Sequence, residues 1–208
     1  MTNPRAIERT PPPAGSSPAG VEPGRRAPAP GYLRVVQQFI NSLDIEAGTD
    51  EIRSPAALSR WLQTHGLTRS RLHLYEFDLE RARRFRELLR ALALANNGVP
   101  LDPPVLAELD ALFTGLPFIG RLKGAGDVLV EPTGGGVDEG LGRLAAVVVV
   151  EMLQGRWVRL KACARDACRW AFYDHSRNRS GTWCAMAVCG SRVKVAKYHR
   201  RRRRTARP

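Results

Sequence analysis

Apolar positions recur at helical spacing through most of the first three-quarters of the chain. In GYLRVVQQFINSLD, Val35, Val36, Phe39, Ile40 and Leu43 fall on one side of a helix. Ser54-Pro55 is an N-cap followed by proline at the first helical position, and the helix it opens runs through Thr64 until Gly66 stops it. The longest periodic stretch covers residues 68–96. Leu72, Tyr75, Leu79, Ala82, Leu89 and Leu92 line one face with Phe85 and Leu88 beside them, while Arg81, Arg83, Arg84 and Arg86 mostly lie off it. Asn96-Asn97-Gly98 marks its end. Asp102 caps a further short helix, PPVLAELDALF.

The pattern then changes. Residues 118–123 and 127–131 are short runs separated by Gly124-Ala125-Gly126, which predicts a β-hairpin. After a loop, residues 137–154 form a second strongly apolar helix with Leu141, Leu144, Ala145, Val148 and Met152, closed by Gly155. Its β-branched valines leave a buried strand over residues 146–150 as the alternative. Residues 1–30 have no apolar period. They hold eight of the fifteen prolines among Gly, Ala and Ser, and read as a disordered leader, with order beginning near Tyr32.

The fold class expected is α+β, with a mainly helical N-terminal body, a small β-hairpin and a small four-cysteine module. The divisions are a leader over 1–30, a body over 31–155 and the module with its basic tail over 156–208. The chain has 208 residues and is 43% apolar, enough for one domain of ordinary size plus a small module. Residues 1–30 contain no apolar signal region, and the richest apolar run, Ala145 to Val150, is far too short for a membrane span. The expectation is a soluble cytoplasmic protein with no membrane partner. In a reducing compartment, paired cysteines bind metal or do redox work more often than they form disulfides.

Charge sharpens the division. The formal net charge is +13, but residues 156–208 carry sixteen Lys or Arg against two acids, Asp166 and Asp174. That segment alone is +14, and the remainder is −1. Such asymmetry predicts a polyanionic partner, and the simpler alternative is a solvated basic tail.

The candidate chemistry lies in the same segment. All four cysteines follow the spacing C-x4-C-x15-C-x4-C at Cys163, Cys168, Cys184 and Cys189. Two knuckles about fifteen residues apart suit a tetrahedral zinc site. The four-residue gaps exceed the CxxC spacing of a redox pair, although a redox role and metal-free cysteines remain the alternatives. Four thiolates leave no position for a substrate water, so the zinc is expected to be structural. Elsewhere there is no Gly-rich phosphate loop, nucleophile elbow or HExxH, and His65, His73, His175 and His199 are scattered, so no enzyme is expected.

Around the cysteines, residues 159–161 and 169–173 read as strands, 174–180 as a polar turn, and 181–189 as the start of a helix. If that helix continues, Lys194, Lys197, Arg201 and Arg204 form one basic stripe, and Arg192 with Arg200 to Arg204 adds to the grip on phosphates. Arg177, Asn178 and Arg179 reach base edges, or touch only phosphate or solvent.

The stretch CARDACRWAFYDHSRNRSGTWCAMAVCGSRVKVAKYHRR resembles the CGNR zinc-finger family of bacterial proteins. The matching positions are Cys163, Cys168, Trp170, Phe172, Tyr173, Asp174, Ser176, Asn178, Ser180, Trp183, Cys184, Met186, Cys189, Gly190 and Arg192. The naming motif reads CGSR, with Ser191 where the family has Asn; Ser also caps helices. FINSLD (residues 39–44) and WLQTHGL (residues 61–67) resemble the ABATE domain. The resemblance implies a stress-induced transcription regulator. Its finger binds duplex DNA, and its body senses a small-molecule effector or forms a homodimer. Asn41 and Asp44 are polar positions on an apolar helix. They line a ligand pocket, or, as the favoured reading, end the helix and cap the next turn. Two other functions compete. One is RNA or ribosome binding through stacking by Trp170, Phe172, Tyr173 and Trp183. The other is a ligand-binding or enzymatic body tethered by the finger.

Overall fold

A computed structural model describes residues 26–125, 127–195 and 202. Most of the expected leader therefore lies outside the described residues. Its last part does not: Ala29 is buried, so ordered chain begins ahead of Tyr32.

The body is built on helices. Helix α1 (Leu33–Asn41) buries Val35, Val36, Phe39 and Ile40 of the stripe visible in the sequence, together with Leu33, while Leu43 lies past its end and is half-buried. A short antiparallel hairpin follows, β1 (Leu43–Asp44) against β2 (Thr49–Asp50). Helix α2 (Pro55–Thr64) opens with Ser54 accepting from the Ala57 N–H, as Ser-Pro predicts. Helix α3 covers Glu76–Ala95, eight residues shorter at its start than the periodicity suggests. The reason is in RLHLY, where Arg71, His73 and Tyr75 are exposed while Leu72 and Leu74 pack on the core. That alternation is the mark of extended chain. The Ser59 hydroxyl accepts from Leu72 N–H, and the Asp78 carboxylate accepts from Tyr75 N–H, starting the helix there.

Helix α4 (Pro103–Thr114) leads to the expected hairpin, β3 (Phe118–Gly124) with β4 (Asp127–Pro132). Helix α5 (Val137–Leu153) takes the valine run as helix. Its buried residues Leu141, Leu144, Ala145 and Val148 follow i, i+3, i+4 and i+7, so burial on one side outweighs the weak propensity of valine. Gly140 lets α5 approach α2 closely, since a Cβ there would stand 2.8 Å from Leu62 Cδ2. No helix among the described residues is long and apolar enough to cross a membrane.

The last sheet joins body and finger. β5 (Leu160–Ala162) pairs antiparallel with β6 (Ala171–Tyr173), in register Leu160 with Tyr173, Lys161 with Phe172 and Ala162 with Ala171. Strand alternation then divides the two faces. Leu160, Ala162, Ala171 and Tyr173 belong to the body's core with α1, α3 and α5, whereas Phe172 joins the four cysteines in a second cluster.

Candidate metal centre and nucleic-acid interface

Backbone hydrogen bonds hold the segments that deliver the cysteines. Cys163 follows β5, and its N–H donates to Trp170 O at 2.9 Å. Residues 164–168 turn back, closed by Cys168 N–H to Arg165 O at 2.9 Å. Ala164 N–H donates to Thr182 O, tying this knuckle to the segment that brings Cys184. Cys189 lies inside a π-helical turn, Met186–Gly190, and donates to Ala185 O at 2.9 Å. Helical backbone continues through residues 191–195.

All four sulfurs are buried, none is in a disulfide, and they lie within 4.8 Å of one another. Cys168 Sγ is 3.7 Å from Cys184 Sγ, which is 3.6 Å from Cys189 Sγ. Zinc bound to sulfur at about 2.3 Å in a tetrahedron sets sulfurs about 3.8 Å apart. The donor set and its spacing therefore fit a zinc ion. The thiols interact strongly with one another. Hydrogen bonds from Cys168 and Cys184 hold Cys163 down to about 2, while donation to Cys163 pushes Cys168 up to about 12 and Cys184 also upward.

Beside the centre, one buried carboxylate organises the 174–181 loop. Asp174 accepts from Lys161 Nζ at 3.0 Å, Gly181 N–H at 2.7 Å and Ser176 N–H at 3.0 Å. Burial opposes its charge, but the hydrogen bonds from Ser176, Lys161 and Gly181 outweigh it and hold the carboxyl below the usual range. Lys161 also donates to Gly181 O at 3.1 Å, and Arg159 to Asp174 O and Ser176 O at 2.9 Å each. This frame presents Arg177, Asn178 and Arg179 at an exposed tip, with Arg179 in the left-handed region at φ 51°.

The other candidates separate. Lys194 is exposed on the helical segment after the centre. Arg192 is there too, but its guanidinium pairs with Glu46 of the body. Lys197, Arg200, Arg201 and Arg204 lie outside the described residues. Phe172 and Tyr173 are buried, and Trp170 and Trp183 pack against the cysteine cluster. Asn41 and Asp44 each bond to backbone, and to different segments. Asn41 Nδ2 donates to Ala171 O at 2.9 Å and its Oδ1 accepts from Ala171 N–H at 2.7 Å, while Asp44 Oδ1 accepts from Ala47 N–H.

Several residues that hold the site are invisible to motif reading. Asn96 Nδ2 donates to Trp157 O and Leu160 O, and Asn97 Nδ2 to Ala162 O and Thr182 O. The pair that ends α3 thus also carries β5. Buried Arg90 donates to Arg169 O at 2.9 Å and to Ile40 O at 2.7 Å. Arg26 donates to Cys184 O at 3.0 Å and stacks over Phe172 at 4.6 Å. A doubled Asn and an arginine with helical neighbours on its apolar side were the only available signals.

Fold and site together define a helical protein with a four-cysteine cluster built against its core. The family model described as CGNR zinc finger matches residues 159–202. The model for ABATE, described as "Putative stress-induced transcription regulator", matches residues 33–170, more than half of the chain. The chain belongs to the ABATE family. Comparison with curated proteins finds no match. The two matched segments overlap over 159–170, the stretch containing β5 and the first knuckle.

Proposed function

We propose that the chain is a cytoplasmic DNA-binding transcription regulator held together by one structural zinc. Cys163, Cys168, Cys184 and Cys189 are the ligands, and the body senses a small-molecule effector or forms a homodimer. One observation carries the reading: four sulfurs at zinc spacing sit in a segment whose net charge is +14. When bound, the zinc supplies a fixed tetrahedral crosslink. The chain's own residues do the rest. Arg177, Asn178 and Arg179 stand at the tip of a loop braced by Asp174 and Lys161. Arg192, Lys194, Lys197, Arg200, Arg201 and Arg204 supply charge for the phosphate backbone.

Duplex DNA is favoured over unpaired RNA because the four aromatic rings that would stack on bases are buried or packed on the cysteines. A mere tether is disfavoured because β5 and β6 share the body's core. A salt titration of binding to random and genomic duplex DNA tests the proposal. The zinc-loaded protein is expected to bind with a log–log slope on the order of −5, for about six phosphates. Cys184→Ser/Cys189→Ser is expected to lose sequence preference. Equal, preference-free binding by both proteins would reduce the basic segment to a polyanion tether.

A further inference from the structure

Glu46 sits at the tip of the β1–β2 hairpin, in the body. Its carboxylate nevertheless meets two cations of the finger, 119 and 146 residues away in sequence. Arg165 grips it with both arms, Nη1 to Oε2 at 2.8 Å and Nη2 to Oε1 at 2.9 Å. Arg192 Nη1 shares Oε1. Arg165 Nη1 also lies 3.8 Å from Cys189 Sγ, so its fork is positioned by the metal centre.

The hairpin that carries Glu46 is braced. Arg86 is buried and forks onto Asp50 of β2 at 2.8 and 3.1 Å, and its Nη1 also donates to Ser42 Oγ. Asp44 Oδ1 closes the turn on Ala47 N–H, and Gly48, at φ +67°, supplies the left-handed residue. The hairpin that presents the carboxylate is therefore anchored in the body.

Two guanidinium groups converging on one oxyanion, one of them bidentate, is the arrangement that recognises phosphate. A phosphodiester presents the same pair of oxygens that Glu46 presents. The side chains of Glu46 and Arg192 are 44% and 54% exposed, so an external anion can reach the site and exchange with the carboxylate. We propose that Arg165 and Arg192 form a phosphate cradle on the finger and that Glu46 is its internal occupant, displaced when a nucleic-acid phosphate binds. The proposal rests on the DNA-binding reading above and extends it, adding Arg165 as a contact and Glu46 as a competitor from the body. It also supplies a route from body to finger. Any change that withdraws the hairpin tip frees the cradle, and phosphate binding in turn favours the withdrawn tip.

The test uses the full zinc-loaded chain. Glu46→Gln is compared with Glu80→Gln, a substitution of the same charge at an exposed position of α3. Affinity for a duplex is measured by anisotropy. Inorganic pyrophosphate is titrated separately while the arginine Nε–Hε resonances are followed. Exposed ion pairs are worth up to about fivefold in an equilibrium constant, and a carboxylate shared by two arginines somewhat more. Glu46→Gln is expected to tighten duplex binding by about three- to tenfold over Glu80→Gln. That gain is expected to shrink when Arg192→Gln is added. Pyrophosphate is expected to shift Arg165 and Arg192 at lower concentration in Glu46→Gln. Equal behaviour of the two Gln variants toward both ligands overturns the cradle while leaving DNA binding intact. Pyrophosphate capture enhanced by Glu46→Gln, with no duplex binding by any variant, keeps the cradle and its occupant and removes the DNA reading instead.

Discussion

At Gly181 one methyl group is enough to disturb the finger. A Cβ there would stand 2.9 Å from both Cγ and Oδ2 of Asp174. Asp174 cannot retreat, because Lys161, Ser176 and Gly181 itself hold its carboxylate. Gly181→Ala is expected to cost about 1–3 kcal/mol, as overpacking does. Gly190 provides the contrast. Its added Cβ would meet the Met186 sulfur, but Met186 is exposed and free to swing aside. Gly190→Ala is expected to stay within about 0.5 kcal/mol. Urea midpoints on the zinc-loaded variants check the order, and a reversal would show that the loop is not organised around Asp174. None of this was visible in the sequence, where Asp174 is one of two acids in a basic segment. Its partners lie 13 and 7 residues away, and only the β5–β6 pairing brings Lys161 beneath it.

Helix α1 meets β6 through Asn41, whose side chain acts as a strand would, and through Gln37. Asn41 offers Ala171 a donor and an acceptor, the same pair a neighbouring strand would offer. Asn41→Ala leaves the buried Ala171 N–H without its partner, although Gln37 Nε2 still reaches Ala171 O at 3.3 Å. The expected cost is about 1–3 kcal/mol, measured by denaturation, with a matching loss of zinc affinity in competition with a chelator. Unchanged zinc affinity would mean that the finger holds its metal without the body. At this scale most elements were legible. The cap at Ser54, the 118–132 hairpin and the α5 stripe all follow from local preference. The start of α3 was not, because RLHLY satisfies both periods, and the choice of extended chain depends on the Ser59 hydroxyl from another helix.

Body and finger share a floor across the whole molecule. Leu160, Ala162, Ala171 and Tyr173 are buried in the body's core while their strands lead directly to Cys163 and out of Cys168. Removing a bound zinc is therefore expected to act on the body as well. The zinc-loaded protein is expected to unfold in a single calorimetric transition, and chelation to lower that transition rather than abolish a separate one. Two well-separated transitions, with the larger indifferent to chelator, would show two independent units. The sequence-based boundary at residue 155 marks the change in composition. The core itself extends past it, to Tyr173.

By itself the sequence determined the helical stripes, the hairpin, the cysteine spacing and the concentration of charge at one end. Each of these depends on neighbours a few residues apart, so local geometry suffices to show it. Only the tertiary structure decided which polar residues are structural and which face outward. Asn41, Asn96, Asn97, Arg90 and Asp174 satisfy backbone or charge far away in the chain, and Glu46 reaches Arg165 and Arg192 across the whole length of the body. A hydrogen bond depends on position in space, and position in space is settled only when the apolar faces have packed.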